Sequence, residues 1–307
     1  MGKSRKNERG HTIKTFNLLN LGAGVQSTVL ALMACRGELE LHPDHIMFSD
    51  TGNESKATYK HIEFLSGEFE KADIPFTIVK TPGIYEDLMS VMDEGVREDS
   101  KLSDLRNKVG NPPLFIKYHS KVKEIEVLGG RKYNPNILLR TCTSYYKVDP
   151  IYKELRKVLG MGYRERYQRN WECNKMLGIS ADEVYRVKES KHKWENNVYP
   201  LIDIGFTRND CYNWLIKNGY SIPPKSSCVI CPFKSDRDFA RIKEEEPDEF
   251  EKACKLDDAL REKTLPGTSN GIVYLHRSGK PLRDVEFKTK EDSLDMFINE
   301  CEGYCGI

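Results

Sequence analysis

In "PPKSSCVICPFKS", Cys228 and Cys231 form a C-x-x-C followed at once by Pro232. Two thiolates at that spacing can ligate one metal centre from a tight loop, and a Cys-Pro step is common beside iron–sulfur ligands. The same pair suits zinc or a redox dithiol. A second stretch, "NLGAGVQSTVLALMA" (20–34), sets Gly22, Ala23 and Gly24 between an apolar run and a run of helical spacing. A small-residue turn that opens a helix presents unpaired N–H groups at the positive end of the helix dipole, and together these hold anions. Ser27 and Thr28 can add hydroxyl donors to phosphate oxygens. The pattern is neither G-x-G-x-x-G nor G-x-x-x-x-G-K-[ST], so simple tight packing of the turn is the competing explanation. In a third stretch, "SDTGN", Asp50 sits at a strand end before Thr51 and Gly52. A carboxylate there can accept from a ribose or coordinate a metal such as magnesium.

The elements that must position these residues follow from periodicity. "TFNLLNL" (15–21) reads as a buried strand, and Val25, Val29, Leu32 and Met33 then recur at helical spacing until Gly37. "HIMFSDTGN" contains a second strand, Ile62, Leu65 and Phe69 mark a second helix, and "IPFTIVKT" is a third strand. Strands alternating with helices imply a doubly wound, mainly parallel α/β sheet with helices on both faces, whose ligands sit outside the carboxyl ends of the strands. Residues 85–135 read as a helix plus a long surface excursion able to cover a site. "KMLGIS" and "VYPLIDI" are expected as further strands. "TRNDCYNWLIKNG" is expected as a helix capped by Thr207 and stopped at Gly219, and 236–263 as one acidic helical stretch. "GIVYLHRSGKPLRDV" is expected as a hairpin turning at Ser278-Gly279.

The bulk numbers exclude several classes. The chain has 307 residues, 48 basic against 47 acidic, so no global field advertises nucleic acid or a membrane surface. With 38% hydrophobic and 31% charged residues it is expected to be an ordinary globule, without a membrane partner. The basic start "MGKSRKNERGHTIK" lacks an apolar run, so we expect a flexible arm over 1–14, no secretory signal and a cytoplasmic location. Nine cysteines in such a setting point to metal or redox use rather than a disulfide framework.

Taken together, the first two loops resemble the adenine nucleotide α-hydrolase-like superfamily with its PP-loop, and within it the phosphoadenosine phosphosulfate (PAPS) reductase family. Gly24-Val25-Gln26 matches that family's Gly-Ile-Gln core, and 50–52 matches its Asp-Thr-Gly. Gln26 stands where ATP-cleaving cousins carry Asp, so the match speaks for nucleotide binding (PAPS or ATP) rather than for ATP cleavage. "RTCTSYYKVDP" (140–150) resembles the family's Arg-x-Cys-Cys-x-x-x-Lys-x-x-Pro, with Thr143 for the second Cys. That resemblance makes Arg140 and Lys147 cationic contacts for the substrate. "LGISADEVYR" (177–186) resembles the segment where a strand end meets the nucleotide, and it implicates Gly178 and Arg186. The likeness covers residues 15–235, leaving 236–307 as a helical and hairpin extension with tail cysteines.

The resemblance also places Cys142 opposite the Cys228–Cys231 loop. A [4Fe–4S] cluster then needs one of Cys301 and Cys305, and the glycines flanking Cys305 favour it as the ligand. Family reductases keep a reactive cysteine near a Cys-Gly-Leu/Ile terminus, so Cys301 and Cys305 are also the candidate nucleophiles. Structural zinc is the alternative metal. Cys35, Cys173, Cys211 and Cys254 are expected as buried or incidental thiols. The resemblance implies thiol-dependent reduction of adenylylated sulfate with a thioredoxin-like reductant. Two other readings stand beside it: ATP-dependent sulfur insertion into nucleic acid, and a nucleotide-binding interaction protein with a structural metal.

Overall fold

Thr12–Leu21 forms β2, the central strand, in a computed structural model that describes residues 4–6, 12–94, 109–119, 137, 138, 140–162, 171–262 and 271–288. β3 (His45–Asp50) and β6 (Trp171–Leu177) flank it in parallel. Outside them lie β4 (Phe76–Lys80) and β7 (Glu195–Val198), giving the parallel order β4-β3-β2-β6-β7. A short β1 (Ser4–Lys6) adds antiparallel to the start of β2. Parallel neighbours need helical crossovers. Between β2 and β3 runs α1 (Val25–Cys35), between β3 and β4 runs α2 (Lys56–Lys71), and α3 (Ile84–Glu94) follows β4. Before β6, a π-helical turn (Ser144–Val148) leads into α4 (Asp149–Val158).

Alternation along β2 decides which helix covers which face. Leu19 and Leu21 pack with Val29, Leu30 and Leu32 of α1 and with Leu215. Leu18 packs instead with Met47, Cys173 and with Ile151 and Leu155 of α4. Neighbouring residues of one strand therefore belong to two cores, so helices cover both faces of the sheet. A third core joins α3 to Val229, Ile230 and the C-terminal helices α7 (Asp236–Glu245) and α8 (Pro247–Glu262). There a second sheet forms from β5 (Phe115–Tyr118) and β8 (Gly271–Tyr274), paired antiparallel.

Four expectations change. Within the expected arm over 1–14, Ser4–Lys6 is a strand paired with Thr12–Lys14, the start of β2. The "PLID" part of "VYPLIDI" is a short helix, α5 (Pro200–Asp203), because Pro200 fits the first helical turn, where its missing N–H costs nothing. The stretch 236–263 is two helices, since Glu246 before Pro247 is pushed out of the α region (ψ 58°). "GIVYLHRSGKPLRDV" is not a hairpin: Gly271–Tyr274 pairs with β5, and Leu282–Asp284 is a 3₁₀ turn. Thr207 does cap a helix, α6 (Arg208–Lys217), through a capping box with Asp210. Among the described residues no helix is long and apolar enough to cross a membrane.

Candidate functional site at the carboxyl edge of the sheet

The register pairs Leu21 with Phe48, so the Gly22–Gly24 turn and the Asp50–Gly52 turn leave adjacent strands side by side. Gly24 is the N-cap of α1 with extended backbone (φ −91°, ψ 178°) and provides no side-chain cap. A side-chain atom added at Gly24 would meet nothing within 4 Å, so the loop is open above it. The opposite holds at Gly178, where a Cβ would lie 2.6 Å from Ser27 Cα and 2.7 Å from its nitrogen. Glycine there lets the end of β6 press against the start of α1.

The side chains of this loop are mostly committed within the protein. Gln26 donates to Glu183 Oε2 at 2.9 Å and to Ser180 Oγ at 3.3 Å, and its oxygen accepts from Arg208 at 3.3 Å. Ser27 Oγ donates back to the Gly24 carbonyl at 3.2 Å. Thr28, expected to offer its hydroxyl to phosphate, is fully buried and lies 2.8 Å from His61 Nε2. Burial pushes the His61 imidazole down to about 4, which keeps it neutral at pH 7. Arg186, expected to face the substrate, pairs with Glu183 at 2.7 Å. The side chains of Gln26, Ser27 and Thr28 thus turn to partners within the protein.

Asp50 Oδ1 accepts from the Gly52 N–H and from Tyr59 Oη, both at 2.8 Å, which closes the turn. Burial, and then the bond to Asp50, raise the Tyr59 phenol above its usual range. Gly52 needs φ +70°, and a Cβ on it would sit 2.9 Å from Gly83 Cα. The next residues carry the cysteine loop. Val229 N donates to the Asn53 carbonyl at 2.7 Å and Ile230 N to Asn53 Oδ1 at 3.3 Å. Thr51 Oγ1 lies 3.1 Å from Cys228 Sγ. Thr51 also donates to Glu54, whose buried carboxylate has Lys147 Nζ 3.5 Å away and whose Oε2 has no hydrogen-bond partner.

Cys142, Cys228 and Cys231 line a single cavity of about 40 Å³ together with Thr51, Arg140 and Lys147, room for more than one water. Cys231 N donates to the Cys228 carbonyl at 3.0 Å, the tight turn expected of the C-x-x-C. Burial and the nearby Glu54 push the Cys228 thiol up, so it stays protonated here and is a poor nucleophile. Buried Lys234 donates to Ser227 Oγ at 2.7 Å, and desolvation lowers its ammonium from the usual range. Three thiols on one cavity suit a sulfur-liganded centre in kind. No group of three His, Cys, Asp or Glu side chains is gathered around an ion position among the described residues. Cys301 and Cys305 lie outside the described residues. In the other four described cysteines burial raises the thiol, Cys35 and Cys254 to about 11, Cys211 to about 12 and Cys173 further.

The structure brings Thr51, Arg140 and Lys147 to the thiols, while the 22–28 loop, Gly178 and Arg186 form a second cluster. No protein-family model matches the chain, and no curated protein matches it. Sequence reasoning missed Asn53, Glu54 and Lys234, although "TGNES" places two polar residues directly after the recognised turn.

Proposed function

We propose that this protein is an adenine-nucleotide-binding enzyme of sulfur chemistry, similar to PAPS reductases, with a doubly wound sheet of the adenine nucleotide α-hydrolase-like kind. The observation that carries the reading is the contact of Thr51 with Cys228. It joins the Asp-Thr-Gly turn, one of two nucleotide-type loops on adjacent strand ends, to a cavity lined by three thiols. The phosphate loop receives anionic oxygens on the N–H groups that open α1. Arg140 contacts the sulfate or phosphate end, and Lys147 adds positive charge while balancing Glu54.

In this reading Cys142, Cys228 and Cys231, with Cys305 or Cys301, hold a [4Fe–4S] centre or zinc. Either would supply a strong local charge beside the sulfur group. The remaining tail cysteine is the nucleophile. Its thiolate attacks the sulfur of adenylylated sulfate, the sulfur–oxygen bond to the nucleotide breaks, and a cysteine thiosulfonate forms. A partner dithiol of the thioredoxin type then attacks the cysteine sulfur, releasing sulfite and leaving a mixed disulfide that its second thiol resolves.

Calorimetric titration with PAPS, ATP and 3′-phosphoadenosine 5′-phosphate tests the loop. Gly24→Val should fold, because its side chain enters open space, and should lose nucleotide binding. Unchanged binding of every nucleotide would overturn the site. Anaerobically purified protein should be brown with about four iron per chain. Cys142→Ser, Cys228→Ser and Cys231→Ser should each lose it and Cys173→Ser should not. Stoichiometric zinc without iron would replace the cluster by a structural metal.

A further inference from the structure

We propose a second binding site, on the sheet face covered by α4, built for a nucleobase with an exocyclic amino group. A cavity of about 530 Å³ opens there between β2, β6 and β7 and the segments 144–155 and 188–192. That volume is in the range of small-molecule sites. None of the described residues that line it belongs to the 22–28 or 50–53 loops.

The register explains why the cavity is polar. Leu18, Lys175 and Asn197 form one row across the three strands, and Asn20 and Glu195 point to the same face by alternation. A strand face under a helix is ordinarily apolar, as this one is at Leu18, Met47 and Cys173. Here Asn20 and Glu195 are 5% and 4% exposed, yet Asn20 Oδ1, Glu195 Oε1 and Asn197 Oδ1 have no hydrogen-bond partner. The other Glu195 oxygen accepts from Lys175 Nζ at 2.7 Å. The Asn197 amide nitrogen donates to the Lys188 carbonyl at 2.8 Å, which fixes the amide so that its oxygen is the unmatched atom. Buried acceptors without donors are costly, and a ligand presenting N–H groups removes that cost.

Two further features narrow the ligand. Tyr152 and His192 stack with centroids 4.3 Å apart and planes at 10°, Arg156 lies over Tyr152, and His192 is exposed at the cavity wall. A planar base can extend such a stack. Lys188 and Lys191 also line the cavity and suit a phosphate carried by that base. Arg140 and Thr143 line the thiol cavity as well, so a base bound here lies beside the cysteines. The site rests on the geometry of this face and stands apart from the adenine-nucleotide reading of the loops.

Titration of the full chain with cytidine and uridine 5′-monophosphate tests it, because the two bases differ by an amino group in place of a carbonyl. The cytidine form should bind about tenfold tighter, the discrimination one well-placed set of base contacts provides. Asn20→Leu or Asn197→Leu, whichever melts as the parent does, should erase the preference, and His192→Ala should weaken both nucleotides alike. Short single-stranded oligodeoxycytidine and oligodeoxythymidine form the second arm. A preference found only with the oligonucleotides assigns the cavity to a base within a strand, and one found with the monophosphates assigns it to a free nucleotide. Equal binding in both arms, or a preference that survives in a folded Asn variant, overturns the proposal. The loop reading is scored separately, by ATP and PAPS titration of Gly24→Val.

Discussion

Gln26, at the start of α1, bonds through both ends of its amide, and Ser27, Thr28 and Arg186 likewise have partners in the protein. On the far side of β2 and beside the thiols, Asn20, Glu195, Asn197 and Glu54 each keep a buried oxygen without one. The first pattern is that of a scaffold, in which side chains fix the shape of the loop. The second is that of sites completed from outside, where acceptors or charges await a donor or cation. Removing a side chain that braces the loop should therefore act through stability, and removing an acceptor that lacks a partner should act through ligand binding.

The largest effect is expected at Glu54, whose side chain is fully buried with Lys147 as its cation. Lys147→Met leaves that charge uncompensated and should cost about 3–5 kcal/mol by chemical denaturation. Lys157→Met removes an exposed partner of Glu154 and should cost less than about 1 kcal/mol. Comparable losses in the two variants would break the claim that the buried carboxylate depends on Lys147. Next comes Gly178→Ala, which drives a Cβ against the backbone of Ser27 and should cost as much as about 3 kcal/mol while weakening nucleotide binding. Gly24→Ala enters open space and should stay within about 0.5 kcal/mol of the parent.

These residues also show what the sequence made legible. The strands from 15 to 80, their parallel pairing and the turns at 22–24, 50–52 and 228–231 follow from local periodicity and short motifs, since each is set by a few consecutive residues. Pro200 and Pro247 misled because proline opens a helix as readily as it ends one. The Ser278-Gly279 turn is present, with Gly279 at φ +61°, but β8 finds its partner in β5, far away in sequence. The face cavity was invisible for the same reason. Asn20 and Asn197 meet only through the register of three strands, and an Asn inside "NLLNL" reads alone as a lapse in an apolar run.

His61 tests the scaffold by pH. Its folded value of about 4 lies below the usual 6.5, so between these values the unfolded chain binds more protons than the folded one. The stability from keeping the ring neutral is complete above pH 6.5 and is lost as pH falls toward 4. The loss should be on the order of 2 kcal/mol after allowance for partial solvent screening. Denaturant midpoints at pH 7.5 and pH 4.5 should therefore differ more in the parent than in His61→Gln. An equal pH dependence would remove His61 as the group that ties Thr28 and the loop to α2.

The smallest effect separates strain from packing. Ala23 and Asp73 are the two non-glycine residues with positive φ among the described residues, at +58° and +54°. Relief of left-handed strain favours glycine at both by about 1 kcal/mol. Asp73 is exposed beyond the end of α2, so Asp73→Gly should realise that gain as a higher melting temperature. Ala23 is fully buried in the core shared with α1, and Ala23→Gly also removes a buried methyl, worth roughly 0.8 kcal/mol. The two terms nearly cancel, so its melting temperature should scarcely move. A gain at Ala23 equal to that at Asp73 would mean that its methyl contributes nothing to the packing of the phosphate loop. A clear loss would mean that the methyl, rather than the backbone, sets the shape of the turn that opens α1.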